Sequence, residues 1–234
     1  MSQQPKTSRP GSRSCLAALT AICAMTLAIT LPSVASSAEI TLQQYGQALR
    51  VRADMGHGLI LFQRCTTCHG VDAHGGGSHS GNDSMVPAIG GQHFRVIVWQ
   101  LIDYGQDKRQ DVRMQAQVNG HGALSVQDIV DVAAYISSLP PVAGGDIGSG
   151  EFATHGAEVF QRSCVACHGR MALGDDQQRT PKLAGQSYAY LLHQMRDAIS
   201  GRRPSFPQTH VDLLKSLDRN DMAGVADHLS RLPP

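Results

Sequence analysis

The chain is 234 residues long, with 20 Lys and Arg against 19 Asp and Glu and 17% charged side chains overall. It has no basic tail and no Lys/Arg cluster of the kind a phosphate backbone demands, which argues against a nucleic-acid partner. No Ser/His/Asp arrangement or HExxH sequence supports hydrolytic chemistry.

Residues 1–13 carry Lys6, Arg9 and Arg13 without an acid, residues 15–31 form an apolar run of 17, and a small-residue stretch ends at Ala38. This order predicts a signal peptide over 1–38, cleaved after Ala38. A retained membrane anchor is the alternative, but such a run falls short of the about 20 residues that span a bilayer. The expected location is therefore the periplasm, as a soluble protein. Three of the 20 basic residues and none of the 19 acids precede residue 39, so the mature chain carries a formal charge of −2. Cys15 and Cys23 leave with the signal, and the remaining cysteines form two CxxC pairs, Cys65/Cys68 and Cys164/Cys167.

The mature chain repeats itself. Residues 58–70 (GLILFQRCTTCHG) return as 156–169 (GAEVFQRSCVACHG), 87–94 (PAIGGQHF) as 181–188 (PKLAGQSY), and 124–140 as 217–233. A period near 95 residues is the size of a small domain rather than a solenoid unit. The expected division is domain 1 over 39–142, a Gly-rich linker over 143–149, and domain 2 over 150–234.

Both domains read as helical. Segments 58–63 and 156–161 are apolar helix ends that deliver the cysteines, and 94–104 and 188–200 form an equivalent pair of helices. In 124–139, Ile129, Val132, Ala133, Ile136 and Leu139 recur at helical spacing behind the cap pair Ser125 and Asp128. In the copy, Met222, Val225, Leu229 and Leu232 follow Asp218 and Asp221, and Pro140 and Pro233 stop the two helices. Residues 72–84 are a Gly/His loop, and no alternation suggests strands. Modules this small with so few aromatic residues have thin cores, and a bound group is expected to complete them.

Cys65-Thr-Thr-Cys68-His69 and Cys164-Val-Ala-Cys167-His168 match the attachment sequence of a c-type haem. Two thiols at this spacing can add across the vinyl groups of one porphyrin edge while the next imidazole reaches the iron. A disulfide, a thioredoxin-like dithiol or a zinc site is the alternative. The dithiol would want a βαβ context, and zinc would want the two pairs closer in sequence.

On these motifs, the Pro87–Gln92 and Pro181–Gln186 stretches and the closing helices after Leu124 and Leu217, the chain resembles the exported two-domain dihaem cytochromes c. The resemblance implies an all-α fold of two tandem class I cytochrome c domains, each wrapped around one of two covalently attached haem c groups. It implies that Pro87 and Pro181 accept the Nδ1 protons of His69 and His168, the proximal ligands. It also implies a methionine sixth ligand on the loop before each closing helix, and here the chain departs from the pattern. Met114 is the candidate in the first module, with His121 as the alternative. The second module has no methionine in that loop, and His210 is the candidate, unless it is a solvated loop histidine. Arg95, Arg109, Arg202 and Arg203 are candidates for the haem propionates, or for ordinary surface ion pairs. His74 and His79 lie in a loop expected to be solvated, and His57, His93, His155, His193 and His228 are scattered.

The function implied is periplasmic electron transfer, with no catalytic activity of the chain's own. The expected partners are periplasmic redox proteins such as a dehydrogenase or terminal oxidase, some of them membrane-bound, and the chain could serve as a dehydrogenase's electron-accepting subunit. The alternative is a haem enzyme acting on peroxide or a reduced sulfur compound, which needs an open or displaceable sixth site.

Overall fold

The computed structural model describes residues 37–76 and 85–234, with side chains from Leu42 onward. The expected signal peptide and His79 lie outside the described residues. The described residues form eleven helices: α1 (Ser37–Ala48), α2 (Met55–Phe62), α3 (Thr66–His69), α4 (Phe94–Gly105), α5 (Val112–Asn119), α6 (Val126–Ser138), α7 (Ala153–Ser163), α8 (Val165–His168), α9 (Tyr188–Ile199), α10 (Gln208–Lys215) and α11 (Arg219–Ser230). The described residues contain no strand, only an isolated bridge between Asp175 and Thr180.

The repeat in sequence is a repeat in structure. Helix α2 packs on α6, and α7 on α11. Each crossing is close enough to require glycine: a Cβ on Gly58 would collide with the Asp131 carbonyl, and one on Gly156 with the Gly224 carbonyl. Both closing helices start in a full capping box, Ser125 with Asp128 and Asp218 with Asp221, as their sequences predict. Phe62, Val98, Ile102, Val130 and Ile136 centre one apolar cluster, and Val159, Phe160, Leu191, Val225 and Leu229 centre the other. The first cluster also takes in α1, whose Tyr45 meets Trp99 edge-on at 4.9 Å. Helix α1 is a feature the sequence reading did not anticipate.

The glycine-rich connection does not hang free between the modules. Gly144 N donates to Gly185 O (2.7 Å), Ala189 N to Asp146 Oδ2 (2.8 Å) and Gly150 N to Asp227 Oδ2 (2.8 Å). Low side-chain content lets the backbone lie flat there: a Cβ on Gly144 would crowd the Ser187 backbone nitrogen at 2.6 Å.

The modules meet through their Pro-x-x-x-Gly-Gln stretches in a reciprocal way. The Gln186 side chain accepts from Ala88 N (3.0 Å) and donates to Ala88 O (2.8 Å). The Gln92 side chain accepts from Lys182 N (3.0 Å) and donates to Lys182 O (3.0 Å). Each motif glutamine thus satisfies both backbone groups of the residue that follows the other module's motif proline.

Candidate metal centres

Helix α2 ends at Phe62, three residues before Cys65, and α7 at Ser163, directly before Cys164; each cysteine then opens a single helical turn, Cys65 before α3 and Cys164 before α8. The turn places two cysteines and the histidine at successive corners. Gly70 (φ 79°) and Gly169 (φ 74°) then break away in the left-handed region that favours glycine. The chain doubles back so that Gly75 N donates to His69 O and Gly174 N to His168 O, both at 2.9 Å.

This return brings each motif proline to its histidine. His69 Nδ1 donates to Pro87 O (3.0 Å), and His168 Nδ1 donates to Pro181 O (3.3 Å). A carbonyl can only accept, so the proton sits on Nδ1 and the Nε2 lone pair is left for a metal. Burial pushes His168 down to about 4, against the opposing pull of the Pro181 carbonyl and with help from His210. Burial also pushes His69 down, again against its proline. Both imidazoles are therefore held neutral, the form that ligates.

Burial pushes both Cys65 and Cys164 up to about 11, which keeps them as thiols until a bonding partner arrives. Among the described residues no group of three His, Cys, Asp or Glu side chains could hold a metal ion. The donor set suits a metal that arrives inside its own macrocycle.

Met114 and His210 lie on short helices, α5 and α10, rather than on the loops expected from the sequence. The structure also resolves their registers. Both helices are eight residues long, and Met114 and His210 are each the third residue. The excess spacing between Met114 and the closing helix falls in the turn 120–123 after α5. That turn contains His121, which is exposed. Asp111 caps α5 by accepting from Arg113 N and Met114 N, and Met114 is half-buried.

The ring spacing at the second site suits a shared metal. The rings of His168 and His210 face one another with centroids 6.3 Å apart and planes inclined at 48°. Two imidazoles that share one metal, at about 2 Å per metal–nitrogen bond, have ring centres roughly 6 Å apart. Burial holds His210 below its ordinary value, with the Arg203 charge adding to the effect. Five other histidines have ordinary polar partners, His57 with Asp131, His74 with Asp72, His155 with Asp221, His193 with Asp197 and His93 with Leu173 O, and His228 lies tilted against Phe160 with ring centroids 5.7 Å apart.

The four candidate arginines divide. Arg95 pairs with Asp176, and Arg202 with Asp197, so both carry protein carboxylates. Arg109 and Arg203 are buried at the junction of the modules, and neither is paired with a carboxylate among the described residues. Gln100 Oε1 accepts from Arg109 Nη1 (2.7 Å) and Arg203 Nη2 (2.7 Å), while Gln194 Oε1 accepts from Arg109 Nη2 (2.7 Å) and Arg203 Nη1 (3.1 Å). Tyr190 OH accepts a further bond from Arg109 (2.6 Å). Arg203 Nε has no hydrogen-bond partner among the described residues. The two buried cations are hydrogen-bonded only to neutral side chains, the buried Asp103 carboxylate acts on both from beyond ion-pair distance, and the partnerless donor leaves the pair able to receive a further carboxylate. The sequence reading missed Gln100 and Gln194; their shared offset of 94 residues with Arg109 and Arg203 was the available signal.

Comparison with known proteins agrees with this geometry. The cytochrome c family profile matches residues 56–140 and again 153–232. Cytochrome c4 of Pseudomonas aeruginosa is 27% identical over 176 residues, covering 72% of this chain and 83% of that protein. A thiosulfate dehydrogenase electron acceptor of Stutzerimonas stutzeri is 29% identical over 178 residues, covering 72% and 78%. The crystal structure of reduced cytochrome c4 from Pseudomonas stutzeri superposes with a TM-score of 0.68 at 25% identity, covering 78% of this chain and 100% of that one. With two profile matches falling on the two halves of a helical repeat, each bearing its Cys-x-x-Cys-His turn, the chain belongs to the cytochrome c family as a tandem of two cytochrome c domains.

Proposed function

We propose that the chain is a periplasmic dihaem electron carrier, formed by removal of residues 1–38, with one haem c in domain 1 (39–142) and one in domain 2 (150–234). The duplicated turn that aims Nε2 of His69 and His168 away from a proline carbonyl carries this reading. Cys65 and Cys68 would hold one haem by thioether bonds, and Cys164 and Cys167 the other. His69 and His168 would be the proximal ligands, with Met114 and His210 the distal ones. Arg109 and Arg203 would receive haem carboxylates at the junction of the modules. When bound, each haem supplies a one-electron Fe(III)/Fe(II) couple.

The protein's own contribution is to fix the ligands before and after the electron arrives. The Pro87 and Pro181 carbonyls lock the proximal tautomers, and burial keeps them neutral in both states. A thioether favours ferrous iron relative to imidazole, so the first site would have the higher potential and electrons would pass from domain 2 to domain 1. The similarity to a thiosulfate dehydrogenase electron acceptor supports a periplasmic dehydrogenase as donor. A terminal oxidase, membrane-bound, is the matching acceptor. Pyridine haemochrome analysis and the intact mass of the exported protein test the reading. Two haems on a chain beginning at Glu39 are expected; one haem, or bound zinc, overturns it.

A further inference from the structure

The two ligand histidines of the second site are steadied in different ways. His168 has its rotation set by the hydrogen bond to Pro181 O (3.3 Å). The His210 ring has no hydrogen-bond partner among the described residues, so nothing of that kind fixes its plane. What lies against it is Phe206, stacked at 5.0 Å between centroids with the planes only 28° apart. Phe206 is in turn covered by the Arg203 guanidinium, whose Cζ is 3.7 Å from the ring centroid. The segment that presents this ring is stiff, because Pro204 and Pro207 fix φ on either side and Phe206 N donates to Arg203 O (3.0 Å). The first module has Gln110 four residues before Met114, where the second has Phe206 four before His210. The stack therefore accompanies the histidine.

Building on the assignment of His210 as distal ligand, we propose that Phe206 is the positioning residue of the second haem: its ring, clamped by Arg203, sets the plane of the His210 imidazole and keeps that ligand from being displaced. An unbranched thioether in the first module needs no ring plane set, which accounts for the one-sided occurrence. Stacking of this kind adds to apolar burial, enough to change how often the ligand lets go.

The test uses the full dihaem protein and the variants F206L, F206Y and H210A. Electron resonance of the oxidised protein reads the relative orientation of the axial rings, and cyanide binding to the oxidised second haem reads displacement of the ligand. F206L is expected to shift the low-spin signal of the second haem and to speed cyanide binding about tenfold, with the first haem unchanged. F206Y, which keeps the ring, is expected to match wild type. An F206L protein with wild-type signal and cyanide rate overturns the proposal, provided that H210A turns the second haem high spin. An H210A protein with both haems low spin instead overturns the ligand assignment and the proposal with it. If F206L does not load two haems, F206M removes the ring at similar volume and decides the question in the same way.

Discussion

Gln186 bonds both backbone groups of Ala88, the residue directly after the proline whose carbonyl accepts from His69. The glutamine of the second module thereby finishes the wall behind His69 in the first, and Gln92 does the same in return at Lys182. A motif that looks local in sequence is half of an interface.

The first prediction concerns that exchange. Gln186 is buried, so Gln186→Leu strands the Ala88 N–H and C=O without water. Leaving such groups unpaired is expected to cost about 2–3 kcal/mol in denaturant unfolding of the holoprotein. Gln92 is only partly buried, so Gln92→Leu is expected to cost less. No effect of Gln186→Leu would show that the pairing contributes no stability, and equal effects would show that burial does not set its size.

Much of this arrangement was legible in the sequence because the chain states it twice. The repeat aligned the Cys-x-x-Cys-His turns, the prolines and the two capping boxes, and these are contacts of short range whose residue types leave few choices. The short helices α5 and α10 were read as loops because eight residues with one apolar face turn too few times to show a period. Counting from Gly105 and from Leu124 gave Met114 two incompatible registers. Only the helix starts, with the extra residues placed in the turn 120–123, make it equivalent to His210. The Arg109–Gln100–Arg203–Gln194 cluster was half visible: the arginines stood out as carboxylate partners, but which of four would be left without a protein acid depends on Asp176 and Asp197 folding onto the other two.

A second prediction follows from that division. Replacing Arg203 with Leu removes a buried cation that makes no ion pair among the described residues, whereas Arg202→Leu removes one that does. Loss of the unpaired cation favours ferric iron, so Arg203→Leu is expected to lower a haem potential by roughly 60 mV, a tenfold change in a one-electron equilibrium. Arg202→Leu is expected to leave both potentials nearly in place. Redox titration followed at the haem absorption bands measures both, and a larger shift for Arg202→Leu would reverse the assignment.

A third prediction is a pH dependence away from the haems. His57 donates to Asp131 Oδ2 (2.9 Å), and this bond, with Asp128 nearby, raises the histidine above its ordinary value. Asp131 is pushed up by burial but held low on balance by Asp54 N, His57 and Gln127. For a histidine raised on folding, the stability it contributes is complete below the unfolded value of about 6.5 and disappears as pH rises through the folded one. Wild type is therefore expected to exceed His57→Gln in thermal stability most at about pH 6 and below, with the gap closing in alkaline solution. A gap that widens with pH would mean that the pair does not work as an ion pair.

The last prediction is the inequality of the two irons. It rests on Met114 and His210 sharing the third position of equivalent helices while offering sulfur in one case and nitrogen in the other. The oxidised wild-type protein is expected to show the weak sulfur-to-iron band at the red end of the visible spectrum for one haem only. Met114→Ala is expected to abolish that band, and His121→Ala to leave it intact, because His121 is exposed in the turn beyond α5. His210→Ala is expected to keep the band while the second haem becomes high spin, since the 6.3 Å separation that lets His168 and His210 share a metal has lost one side. His210→Met is expected to add a second sulfur band and to raise the second potential toward the first, because the thioether stabilises ferrous iron more than imidazole does. That convergence would remove the downhill step from domain 2 to domain 1, so electron exchange between the haems should become nearly thermoneutral. Two sulfur bands in the wild-type protein would instead place a methionine on both irons and cancel the direction of flow.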